Sequence, residues 1–217
     1  MTTKYSALAA LGMVLCVSPA FAQELAPLEA DIVQMYASIL TENYSKLEGK
    51  QVEVEPDIDG ATGLALGMEG IIIVPTKGLD PETAIGNPAA QSETGAPLAI
   101  VFMSPRFNPL VDGKAVDEDK LRTITFEDGE GNEQKATMLL ISARNVEGDD
   151  WRMNVFGSGE KPLVEAQFGG AEDIPDEEET LAILVGEPKD NKAMLTVRVF
   201  GLYTASFEIG HNVEDLF

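Results

Sequence analysis

Cysteine, histidine and tryptophan occur once each in this 217-residue chain, as Cys16, His211 and Trp151. A lone cysteine makes no intrachain disulfide and no thiolate metal site. A lone histidine leaves a single imidazole for any serine triad, and transition-metal sites ordinarily need more than one nitrogen or sulfur ligand. His211 also lies six residues from the end of the chain, where disorder is common. Basic residues are scarce as well: 15 Lys and Arg face 37 Asp and Glu, a formal charge of −22. Such a surface repels nucleic acid and anionic lipid, so neither is expected as a partner. The acids are scattered along the chain, which favours general solubility over binding of cations or basic partners.

Long apolar runs are missing too. The nearest lies in MTTKYSALAALGMVLCVSPAFAQE, where residues 7–17 are broken by Gly12 and followed by Pro19. That is short of the roughly 20 residues that cross a bilayer. Lys4 ahead of the run and Ala20-Phe21-Ala22 behind it have the order of a cleavable secretory signal. The expectation is cleavage after Ala22, export to the periplasm or the medium, and no membrane insertion afterwards. Val14 and Leu15 do not suit a lipoprotein site at Cys16, which leaves with the signal. Residues 23–217 then hold no cysteine and, without Lys4, carry 14 bases against 37 acids, a charge of −23. Their length suits one domain held together by packing alone.

Within that domain one stretch has helical periodicity. In residues 27–48 the positions Leu28, Ile32, Met35, Tyr36, Ile39, Leu40 and Leu47 share a face. Pro27 suits the first helical position, Glu29 and Asp31 the first turn, Lys46 the last, and Gly49 the stop. Asn43-Tyr44-Ser45 is a glycosylation sequon, but inside a helix and behind a bacterial-type signal it reads as chance.

The rest is mostly β. QVEVE (51–55) alternates, whereas IIIV (71–74), LAIVFM (98–103) and LAILV (181–185) are apolar throughout, as strands covered on both faces are. LRTITF (121–126) and ATMLLISA (136–143) flank a glycine-rich turn, and WRMNVF (151–156) and PLVEAQF (162–168) flank Gly157-Ser158-Gly159, giving two hairpins. Residues 195–209 alternate as one long strand bent at Gly201. Stretches 80–97, 104–119 and 169–179 read as irregular, the last an acidic surface loop. The fold class expected is mainly β: an antiparallel sheet or β-sandwich with one N-terminal amphipathic helix packed on it, or alternatively α+β.

EGIIIVPTKGLDPE (69–82) raises the question of a reactive lysine. Pro75 lacks an amide donor and suits a strand end, Gly78 allows a turn, and Asp80-Pro81-Glu82 has the order of a helix cap. Lys77 therefore reads as a charge at the strand exit, without the buried pocket a lysine reagent needs.

No catalytic, cofactor-binding or metal-binding residue emerges, no cofactor is called for, and the binding residues are unknown. Phe156 stands where a nucleophile elbow needs glycine, and no phosphate-binding glycine loop is present. Asp57-Asp59-Gly60 and Asp128-Glu130-Asn132 open like calcium loops but fail further on, at Ala61 and at Glu133 and Leu139. Trp151 is the one candidate for the aromatic platform of a glycan-binding module, but it falls in register with Met153 and Val155, which favours a core-facing residue. Arg152, Asn154 and Phe156 form the opposite face, either a ligand surface or a second covered face. Arg106, on a loop, meets local carboxylates or an anionic ligand. The leading expectation is an exported, soluble, non-catalytic module that binds a partner protein, a cell-envelope component or a small ligand. Its rivals are a carboxylate-based hydrolase of cell-envelope sugars, working through a pair among the acids, and a structural subunit.

Overall fold

Two antiparallel sheets and one helix stack in three layers. The computed structural model describes residues 26–67, 69–80, 86–128, 131–171, 180–186 and 191–211. The signal, its cleavage site and the cap at Pro81-Glu82 lie outside the described residues. One sheet has eight strands: β1 (Ala26–Pro27), β2 (Thr62–Leu66), β3 (Glu69–Pro75), β4 (Ala96–Met103), β7 (Arg122–Glu127), β8 (Glu133–Glu147), β9 (Asp150–Phe156) and β10 (Val164–Gln167). Its order is β1-β2-β3-β4-β8-β9-β10, with β7 paired to the first part of β8 before β9 takes over that edge. The second sheet has six strands: β5 (Phe107–Val111), β6 (Lys114–Ala115), β11 (Gly169–Gly170), β12 (Leu181–Val185), β13 (Lys192–Val199) and β14 (Tyr203–His211). They run β12-β13-β14-β5-β6, with β11 also on β14.

The layering accounts for the uninterrupted apolar runs. In β3, Ile71 and Ile73 face the second sheet and join Val101, Leu139, Ile141, Val155, Leu195, Val197 and Phe207. Ile72 and Val74 face the other way, onto helix α1 (Ala30–Ser45), with Ile100, Phe102, Met138, Leu140 and Phe156. Each fully buried side chain of this kind stabilises the fold by about 1.5–3 kcal/mol. The helix thus packs on the IIIV strand and its neighbours, and the mainly β fold with one N-terminal helix is the observed one.

Several local expectations need correction. The helix is shorter than residues 27–48: Pro27 sits in β1 opposite Leu64, and Glu29 is the N-cap. Its buried seam is Val33, Ala37, Leu40, Thr41 and Tyr44, rotated from the expected stripe, so Met35 is 42% exposed and Ile32 and Ile39 are half-buried. Tyr44 belongs to this seam, and its hydroxyl accepts the buried Val54 N–H at 2.8 Å. QVEVE is not a strand. Val52 and Val54 are buried in alternation, but the segment forms no ladder, only a bridge from Pro56 to Thr76. Conversely, β2 and β5 are strands that carry little signal, the first for its small residues and the second for Pro109.

Residues 195–209 are not one bent strand. β13 and β14 form a hairpin through a turn in which Phe200 and Gly201 both take positive φ, 55° and 66°. LAILV, as β12, is buried on both faces only from Leu181 to Ile183; Leu184 is 38% exposed. Pro75 ends β3, and Lys77 emerges exposed beside Glu55 at 3.9 Å, the strand exit expected of that stretch.

Candidate binding cleft at one mouth of the sandwich

Along β9 the inner face changes character. Met153 and Val155 are sealed between the sheets, but Trp151, in the same register, is only half-buried and lines an open cleft of about 400 Å³. The alternation correctly gives its direction. It does not reveal the open space beside the ring, so the core-facing expectation for Trp151 is corrected to a cleft wall.

Leu98 and Trp151 form one wall, from the eight-stranded sheet. Val199, Phe200 and Tyr203, at the β13–β14 turn, form the other. Between them the chain crosses from sheet to sheet: Phe168 N–H donates to the Trp151 carbonyl at 2.9 Å, and Gly169 and Gly170 then pair with Thr204 and Tyr203. A Cβ on either glycine would meet nothing within 4 Å, so the crossing leaves open space. Asp149, exposed on the β8–β9 turn, supplies a carboxylate at the rim.

Backbone hydrogen bonds fix these walls. Phe200 N–H donates to the Thr180 carbonyl at 3.0 Å, Leu202 N–H to Val199 at 3.1 Å, and Ala171 N–H to Leu202 at 2.8 Å. Positive φ at Phe200 is unusual: Asp112 and Asn191, the other described non-glycine residues with it, are of types that tolerate it. For a bulky aromatic it costs about 1–3 kcal/mol. The strain places the ring at the cleft. Phe168, Phe200 and Tyr203 escape the sequence reading because their turns were not recognised; Phe200-Gly201 between two alternating runs was the available signal.

The other candidate residues are dispersed. Arg152 donates to Asp150 at 2.9 Å and to Glu165 at 2.6 Å, while Asn154 and Phe156 are buried, so that face is covered and not a ligand surface. These bonds lower the Asp150 pKa and raise that of Arg152. Neither side-chain polar atom of Asn154 has a partner among the described residues. Ser158 Oγ donates to the Asp119 carbonyl at 2.8 Å, and a Cβ at Gly157 would collide with the Lys120 carbonyl, so this turn holds the β7 entrance and no nucleophile. Asp57 accepts from the Gly60 N–H at 3.3 Å and Asp128 from the Asn132 N–H at 2.9 Å, the bonds of ordinary turns. Among the described residues, no group of three or more His, Cys, Asp or Glu is placed to hold a metal.

The opposite mouth holds Arg106, 3.7 Å from Glu69, and His211, which is ordered in β14 against Phe107. Burial lowers the His211 pKa, against the opposing pull of Glu69. A second groove of about 480 Å³ runs between α1 and the sheet, past Ile32, Tyr36, Phe102 and Phe126. Its apolar walls are continuous with the helix seam. No family model matches the chain, and no curated protein or solved structure matches it significantly.

Proposed function

We propose that the chain is an exported, non-catalytic binding module whose aromatic cleft takes up an apolar group of its partner. The signal-like start supports export to the periplasm or the medium. One observation carries the binding reading: four aromatic side chains stay partly exposed around about 400 Å³ of open space. Burying an aromatic ring is strongly favourable, and rigid, half-exposed rings are the usual anchors of recognition surfaces. The rival hydrolase needs two carboxylates about 5–10 Å apart. Asp149 is the sole carboxylate among the described residues lining this cleft.

Trp151, the sole tryptophan, reports on its own wall. N-acetylphenylalanine amide, a neutral aromatic probe, is expected to shift Trp151 emission saturably. Tyr203→Ala, at a position 47% exposed, should weaken that binding about tenfold and leave the urea midpoint in place. A probe that never saturates, or one indifferent to Tyr203→Ala, ends the cleft reading.

A further inference from the structure

The charge around the cleft specifies what accompanies the apolar group. No lysine or arginine is among its described lining residues. Asp149 and Glu147, on the β8–β9 turn, are exposed and form no ion pair among the described residues, whereas neighbouring Asp150 is neutralised by Arg152 at 2.9 Å. Arg152 is itself held by Glu165 at 2.6 Å. Apolar walls of low polarisability focus the field of such a rim. A cation there also meets the faces of Trp151 and Tyr203, which attract it through the ring quadrupole.

Resting on the binding reading above, we infer that the cleft's partner is a basic peptide segment, with an aromatic or aliphatic side chain in the cleft and lysine or arginine against Glu147 and Asp149. A peptide fits better than a small amine because β10, beside the cleft, is the last strand of its sheet. Its outer backbone groups have no strand partner among the described residues, and an extended segment can pair with them.

Three capped pentapeptides test this on the full chain by Trp151 emission: acetyl-Lys-Leu-Phe-Leu-Lys-amide and its counterparts with serine or glutamate in place of both lysines. At low salt the lysine peptide should bind about tenfold tighter than the serine peptide, and the glutamate peptide more weakly than either. The lysine advantage should vanish near 1 M salt, where the screening length is about 3 Å. Glu147→Gln with Asp149→Asn should abolish the advantage, bringing the lysine and serine peptides to equal affinity. Equal binding of the lysine and serine peptides at low salt overturns the basic-partner inference while leaving the cleft reading standing. Failure of all three peptides overturns both. Lysine-peptide binding that persists undiminished in Tyr203→Ala is charge attraction without the cleft, and overturns the inference as well.

Discussion

Under helix α1, Val33, Leu40 and Tyr44 are at most 4% exposed and meet Ile72, Val74 and Phe102. At the sandwich mouth Trp151, Phe168, Phe200 and Tyr203 surround open space, and Tyr203 is 47% exposed. Similar side chains serve different ends in the two regions. Sealed rings and aliphatics give their full transfer energy to folding. Those at the mouth withhold part of theirs, which a partner can still collect. The contrast predicts that changes under the helix are read in stability and changes at the mouth in binding.

The largest expected effect is at the seam. Leu40→Ala should lower stability by about 2–5 kcal/mol, because a buried leucine leaves a cavity. Met35→Ala, on the same helix but 42% exposed, should change it by no more than about 0.5 kcal/mol. Similar urea midpoints for the two variants would remove the distinction between seam and solvent face.

Next comes Tyr44→Phe, which strips the buried Val54 N–H of its acceptor and should cost about 1–3 kcal/mol at neutral pH. Burial, the main cause, raises the Tyr44 pKa above its ordinary 10.0, partly offset by the hydrogen bond from Val54. The unfolded chain therefore loses this proton first as pH rises. Between the two pKa values the folded state holds more protons, so the stability due to Tyr44 is complete below pH 10 and is lost above it. Denaturation curves from pH 8 to 11 should show a steeper alkaline decline for the wild type than for Tyr44→Phe. Parallel declines would mean that the hydroxyl is not sealed.

Asn154→Val should raise stability by about 1 kcal/mol, the gain from removing two partnerless buried atoms being reduced by a tighter fit. A loss instead would show that the Asn154 amide is satisfied in solution. A small net stability change is expected at the mouth. Phe200→Asn creates Asn-Gly, the favoured pair where both turn residues take positive φ, while giving up ring packing. The two should offset within about 1 kcal/mol, while affinity for the aromatic probe falls about tenfold. A large loss of stability with unchanged affinity would assign Phe200 to the fold and not to the cleft.

Much of the architecture was legible because it depends on local repetition. The runs at 71–74 and 98–103 have no polar face to offer water, so each had to be covered twice, and the helix could supply one cover. The seam was less legible, since Ile32, Met35 and Ile39 are as apolar as Val33 and Leu40, and the packing against Ile72, Val74 and Phe102 that separates the faces comes from distant segments. The candidate cleft was least legible. Trp151 has the register of a core residue, and its three aromatic companions come from segments 17 to 52 positions away along the chain.

The sequence by itself determined the strand-rich plan, the doubly covered central sheet, the strand exit at Pro75 and the strongly acidic composition, all consequences of residue type and period. Only the tertiary structure decided the β13–β14 hairpin, the rotation of the helix and the open cleft beside Trp151. Those depend on which backbone groups pair across long separations, and alternation along a strand specifies a side chain's direction without specifying whether anything lies opposite.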